Sequence, residues 1–301
     1  MFEDALEHMM RISRIIGMPR GNALLVGVGG SGRQSLARLA AYIARQDVFQ
    51  ITITRAYKLA DFLDDVRKLY VSVGKEGRKT TWVLTDFELD QGNKSASGSE
   101  DQFLEYVNAI LTTGEVAGLF PKDERDMMVS DLRGPARKEN PDFVDTPDNL
   151  YKYFIDRIRD NLHIVLCFSP ANDKFAERAR RFPGLISCTT DWFMPWSQQA
   201  LLAVATRFVS EDSDGFKVEC EAKVEKKLVT HIATVHNLVT DACEEYFQKF
   251  RRNVFVTPKS YLAYIKSYKT VRNATHRQCV RHAVQFNCVT GLAAAPLRDC
   301  G

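Results

Sequence analysis

Gly27-Val-Gly-Gly-Ser-Gly-Arg-Gln-Ser35 is the stretch of this chain whose residue types and spacing bear most directly on chemistry. Successive glycine amides at a helix N-terminus turn several N–H groups onto one anion, and the helix dipole favours negative charge there. Such a loop is built for phosphate. In a nucleoside triphosphate site of this kind a lysine lies on the β/γ-phosphates and a Ser/Thr hydroxyl on Mg²⁺. Here Arg33 and Gln34 hold those places. Arginine keeps the positive charge but spreads it over a wide planar fork, and Gln34 offers Mg²⁺ an amide instead of a hydroxyl. Ser35 is adjacent, yet one helical step turns it ~100° away. Binding and hydrolysis are therefore separate questions. Gly27, Gly29, Gly30, Ser31, Gly32, Arg33, Gln34 and Ser35 are candidate nucleotide contacts.

The second half of a nucleotide site is an acid at the tip of a buried strand. Asp86 follows Trp82-Val-Leu-Thr85, so its carboxylate is placed to reach Mg²⁺ directly or through water, the alternative being a solvated strand-end Asp. Hydrolysis also needs a group to polarise the attacking water, usually a Glu directly after that Asp. That position is Phe87. Glu88 comes one residue later, where an extended chain turns the side chain to the opposite face. Weak or no hydrolysis is expected at this site. Arg178, Arg180 and Arg181 read either as a solvated helix face or as an arginine finger acting in trans on a neighbour's nucleotide. His276, Cys279 and His282 stand three apart, but without a fourth ligand the spacing does not make a zinc site. His8, His163, His231 and His236 have no evident partners and read as packing or surface residues.

The elements that must position these groups follow from periodicity. Apolar residues at helical spacing mark 5–16, stopped by Gly17-Met-Pro19, and the run Ala23-Leu-Leu-Val26 reads as the buried strand before the loop. Further strands are expected at 48–53, 81–85, 163–168 and 185–189. Helices are expected at 59–73, ended by Gly74, at 102–113, ended by Gly114, and at 148–160 and 171–181. Alternation of this kind implies right-handed crossovers and a mostly parallel sheet covered on both faces, with ligand at the strands' carboxyl ends. After Pro195 the pattern turns helical, at 197–210, 219–250 and 258–269, the last with Thr257 as cap and Pro258 in the first turn. A short amphipathic helix (Val280, Ala283, Val284, Cys288) ended by Gly291 is read in the tail. Residues 90–100 and 133–147 read as surface loops.

Composition narrows the classes. Forty-five per cent of the 301 residues are hydrophobic, enough for one large core and a smaller lobe. A net charge of +3 from 41 basic and 38 acidic residues argues against a nucleic-acid surface. The longest apolar runs fall far short of the ~20 residues of a membrane span. An acidic start followed by an amphipathic helix is not a signal peptide, and seven cysteines without a Cys-x-x-Cys pair fit free thiols in a reducing cytosol.

Phosphate loop, strand-end Asp, arginine-rich helix and helical lobe in this order resemble an AAA+ P-loop NTPase module: an α/β domain with a parallel sheet flanked by helices, and a smaller α-helical lid. More narrowly, the chain is similar to the fourth AAA+ module of an axonemal dynein heavy chain. The residues that carry this are Pro19 to Ala40, Leu111-Thr-Thr-Gly-Glu-Val-Ala-Gly-Leu-Phe120, Leu162-His-Ile-Val-Leu-Cys-Phe-Ser-Pro170, Asp191-Trp-Phe-Met-Pro-Trp196 and Thr257-Pro-Lys-Ser-Tyr-Leu262. The resemblance implies a large domain over 1–190, a lid over 191–269 and an unassigned tail over 270–301. It implies ATP or ADP, with Mg²⁺, at a regulatory or structural site rather than the principal motor site. It implies Ser169 at the sensor position, Arg178 as the finger and Lys259 as the lid's sensor. Partners would be neighbouring AAA+ modules of the same heavy chain and other dynein subunits, in the cytoplasm, cytoskeleton and axoneme of a cilium or flagellum. Microtubules would be reached only through a coiled-coil stalk expected after about Lys269, for which 271–301 supplies no sustained heptad. A free-standing oligomeric AAA+ ATPase and a structural ring module with an empty site are the alternatives.

Overall fold

The computed structural model describes residues 3–54, 57–95, 101–171, 174–210, 222–252 and 254–290, with backbone alone for 91–95 and for most positions beyond 272. They form two compact units, the first of Glu3–Val28 and Gly32–Met194, the second running from Pro195 and taking in Gly29–Ser31 of the loop. β5 runs to Phe193.

In the first unit, helix α1 (Glu3–Gly17) precedes strand β1 (Ala23–Gly27), the loop and helix α2 (Arg33–Ile43). Strand β2 (Asp47–Phe49), helix α3 (Leu59–Tyr70) with a π-helical turn (Val71–Lys75), and strand β3 (Thr80–Thr85) follow. Five helices come next: α4 (Asp86–Ser95), α5 (Gln102–Thr112), α6 (Lys122–Ser130), α7 (Arg133–Glu139) and α8 (Pro147–Asn161). Strand β4 (Leu162–Phe168), helices α9 (Lys174–Arg181) and α10 (Pro183–Ile186), and strand β5 (Thr189–Phe193) complete it. The five strands lie in the order β2-β3-β4-β1-β5, and every neighbouring pair is parallel. This is the α/β architecture expected.

The central strands β1, β3 and β4 are buried on both faces, and their period of two assigns side chains to each. Leu24, Val26, Trp82, Leu84, Ile164 and Leu166 pack on one face with Phe62 and Val66 of α3, Phe103 and Val107 of α5, and Phe154 and Ile158 of α8. Ala23, Leu25, Val83, Val165 and Cys167 pack on the other with Ile12 and Ile16 of α1 and Ala37, Ala40 and Ala41 of α2. Small residues on α2 let that helix sit close to the sheet that carries its loop.

Several sequence expectations are corrected. The strand at 48–53 is only Asp47–Phe49, because as an edge strand it has a partner over Thr80–Trp82 alone. The strand at 185–189 is instead the short helix α10, opened by Pro183 in its first turn, and the strand begins at Thr189. Gly74 does not stop a helix: a Cβ there would lie 2.3 Å from a Phe154 ring carbon, so the glycine makes room for α8. Gly114 does end α5, at φ +76°. Residues 90–95 continue α4, and the rest of that expected loop, 96–100, lies outside the described residues. Within 133–147, α7 forms with Pro135 near its start, where a missing amide costs little.

The second unit comprises helices α11 (Gln198–Ser210), α12 (Ala222–Phe250) and α13 (Pro258–Thr290). Leu201, Ala205, Val209, Val229, Ile232, Ala233, Tyr261 and Ile265 form its core. Thr257 caps α13, with Ser260 N–H donating to its Oγ1 at 3.3 Å and Thr257 N–H donating to Ser260 Oγ at 3.0 Å. α13 runs without a break through the expected end at 269 and the separate tail helix, to Thr290. The side chains of His276, Cys279 and His282 lie outside the described residues.

His8 and His163 do have partners. His8 Nδ1 is 2.7 Å from Asp191 Oδ2 and its ring stacks on Phe193, tying α1 to β5. His163 Nδ1 is 2.9 Å from the Gly21 carbonyl, and burial lowers its pKa from the ordinary value. At neutral pH the ring is uncharged folded or unfolded. As pH falls through ~6.5 the unfolded chain takes up a proton that the folded chain refuses, so stability falls there. Urea titrations between about pH 8 and pH 5 should show His163→Gln losing part of the wild-type acid slope.

Candidate functional site

β1, β4 and β3 are adjacent, so the loop after β1, Ser169 after β4 and Asp86 after β3 meet along one carboxyl edge of the sheet. This is where an open parallel sheet binds ligands. Gly30 and Gly32 have φ of +81° and +93°, a region L side chains rarely adopt, and Gly32 is the N-cap of α2. No side chain caps α2, which leaves its first amides for an anion. A Cβ on Gly29 or Gly32 would meet nothing within 4 Å. Ser31 Oγ is buried with no hydrogen-bond partner among the described residues. The loop fits phosphate oxygens.

Arg33, 9% exposed, folds back toward the sheet edge. Its Nη1 donates to the Phe168 carbonyl at the end of β4, and its Nη2 to the Val28 carbonyl at 3.3 Å. Burial holds its pKa below the ordinary value, opposed by Cys167 and by the charge of Asp86. A guanidinium remains protonated all the same. Cys167 beneath it is pushed up to about 12 by burial, so that thiol is not a nucleophile at neutral pH.

Asp86 stands at the strand tip as read from sequence, but its oxygens are in use. Oδ2 accepts from Ser169 N–H at 2.9 Å and Oδ1 from Phe87 N–H at 2.9 Å. Gln34 and Ser35 are exposed on α2. The chain beyond Thr85 is helical at once rather than extended, which corrects the alternation assumed for Glu88. Phe87 is 67% exposed while Glu88 is 7% exposed and turned inward. Glu88 Oε2 accepts from Thr85 N–H at 2.7 Å, Glu88 N–H donates to Thr85 Oγ1 at 3.2 Å, and Glu88 Oε1 accepts from Gln50 Nε2 at 2.7 Å. It is the capping box of α4. Gln50 is held in turn by Arg38. The donor set fits a nucleotide's phosphates and does not complete a divalent-cation site.

Arg178 was expected to project from the domain edge. It is instead 2% exposed and turned into its own unit. Nε and Nη2 donate to Asp101 Oδ1 at 2.8 and 2.6 Å, and Nη2 to Asp90 Oδ1 at 2.6 Å. Burial alone would lower its pKa, yet these bonds carry it above the ordinary value. Arg180 and Arg181 are exposed, the latter paired with Glu105 at 3.1 Å. Lys259 stands exposed on the first turn of α13 in the second unit. A cavity of about 480 Å³, lined by Arg20, Asn22, Leu162 and Pro183 among others, lies at the strands' amino ends, away from the loop.

A family model described as the P-loop containing dynein motor region D4 matches residues 1–271. The chain belongs to this dynein motor family. It is 47% identical over 292 residues to dynein axonemal heavy chain 5 of Rattus norvegicus, covering 97% of this chain and 8% of that protein. It is 46% identical over 271 residues to dynein axonemal heavy chain 8 of Homo sapiens, covering 90% of this chain and 6% of that protein. The dynein gamma chain of the flagellar outer arm of Chlamydomonas reinhardtii is 45% identical over 270 residues, 89% of this chain and 6% of that protein. The chain therefore spans less than a tenth of these relatives. Membership of the D4 family implies nucleotide binding. The sequence alone missed the carbonyls that hold Arg33, because backbone acceptors leave no trace in side-chain patterns. It also missed the Glu88 cap, although Thr85-x-x-Glu88 was its written signal.

Proposed function

We propose that this chain is a nucleotide-binding ring module of an axonemal dynein heavy chain, part of an ATP-driven motor of cilia and flagella, whose own site retains nucleotide and hydrolyses it very slowly. The observation that carries this reading is the pairing of an uncapped, glycine-shaped loop with a strand-end acid that no free carboxylate follows. Gly27, Gly29, Gly30, Ser31, Gly32, Arg33, Gln34 and Ser35 surround the phosphates, Asp86 and Ser169 close the edge, and Lys259 is the sensor residue of the lid. Asp86 is the residue a metal would use if one were bound. Neighbouring modules of the same heavy chain and other dynein subunits are the partners, and the cytoskeleton of the axoneme is the place. A trans role for Arg178 requires it to leave Asp90 and Asp101. Arg180, exposed on the same helix, is the arginine of α9 that reaches a neighbour without that cost.

Isothermal titration of the purified chain with ADP and with ATP, followed by a turnover assay, tests the proposal. Saturable binding with turnover well below ~1 per second is expected. Absence of binding would make this a structural module with an empty site. Ring assembly with ordinary turnover would make it a free-standing ATPase.

A further inference from the structure

We propose that the site carries its cation in the chain: the Arg33 guanidinium takes the charge-neutralising place of a divalent metal, so that a nucleoside di- or triphosphate binds here without one. The inference rests on the nucleotide reading above and adds to it the ligand's metal-free form.

Arg33 is a buried cation hydrogen-bonded to two backbone carbonyls, of Phe168 and Val28. Among the described residues it forms no ion pair. The charge of Asp86 acts on it without an ion pair, so the buried cation is only partly compensated, and an anion at the loop would compensate it further. With Nη1 and Nη2 each giving one hydrogen to a carbonyl, Nε and one hydrogen on each terminal nitrogen remain, in the fork that matches phosphate oxygens two at a time. α2 adds its uncapped amides on the same side of the loop.

The groups that would hold a metal are absent or engaged. Mg²⁺ demands near-octahedral oxygen ligands at short distances. Position 34 offers an exposed amide in place of a hydroxyl, and each Asp86 oxygen already accepts a backbone N–H, from Ser169 and Phe87, which leaves only its remaining lone pairs for a metal. Two features that look like independent losses, Arg for Lys and Gln for hydroxyl, are then one change: a fixed, delocalised cation replaces an ammonium and a metal together.

The test is the affinity of the purified chain for a fluorescent ADP analogue and for ATP, titrated in excess magnesium chloride and in excess EDTA. Wild-type Kd is expected to agree between the two conditions within about threefold. Arg33→Gln should weaken binding by about tenfold or more in both. The double variant Arg33→Lys with Gln34→Thr should bind in magnesium and lose about tenfold or more in EDTA. A wild-type chain that loses about tenfold or more in EDTA overturns this inference and leaves the nucleotide reading standing. A wild-type chain that binds in neither condition overturns both. The wild-type comparison decides the matter even if a variant fails to fold.

Discussion

Arg178→Met is expected to destabilise the chain by about 3–5 kcal/mol, read as a fall in the urea midpoint of the first unit. The side chain is 2% exposed and its bonds run to Asp101, itself nearly buried, and to Asp90 on α4. Taking the guanidinium away leaves the Asp101 carboxylate in a low-dielectric setting without that partner. Asp101 is also held at φ +71°, as the N-cap of α5, and its side chain does not cap the helix. Its carboxylate is committed to Arg178 instead, so the arginine fixes a backbone conformation as well as a charge. Adding Asp101→Asn should restore part of the loss, with a coupling energy of about 1 kcal/mol or more in a double-mutant cycle. A loss below about 1 kcal/mol for Arg178→Met would mean that the pair behaves as a surface bridge. Because Asp90 shares α4 with Asp86, nucleotide affinity should fall too. A freely projecting finger would leave both stability and affinity untouched.

Arg178 also marks the limit of what the sequence discloses. Its position on a helix of three arginines was legible, and so was its charge. Its inward turn was not, because the acids that take it lie 77 and 88 positions earlier in the chain. Local patterns fared better wherever the physics is local. The strand, loop and helix at 23–43 were readable because apolar runs, glycines and a helical repeat each act over a few residues. The same reasoning found Asp86 and the Thr257 cap. The short apolar stretch at 185–189 failed for the converse reason: runs of this length suit a buried strand or a buried helical turn equally, and only Pro183 favoured the turn. α13 outran its expected end because no proline or glycine interrupts 259–290, a signal outweighed by the fading apolar repeat.

Glu88 offers the sharpest separation of a structural role from a catalytic one. Glu88→Ala is expected to cost about 3 kcal/mol, since it removes two hydrogen bonds to a buried carboxylate, one of them the cap of α4. Glu88→Gln keeps an oxygen for Thr85 N–H but sets its amide against a Gln50 amide whose oxygen is held by Arg38, so the cost should be about 1–2 kcal/mol, below that of Glu88→Ala. If Glu88 only caps, the residual turnover per folded molecule is unchanged in both variants. A general base would behave in the opposite way, for glutamine cannot take a proton: both variants would lose about 10²- to 10⁴-fold in turnover while Glu88→Gln stayed folded. Paired measurements of urea stability and single-turnover hydrolysis on the two proteins therefore decide the role. The geometry favours the cap, because a carboxylate 7% exposed and held by Thr85 N–H and Gln50 Nε2 on the inner side of α4 is turned away from a water beside the loop.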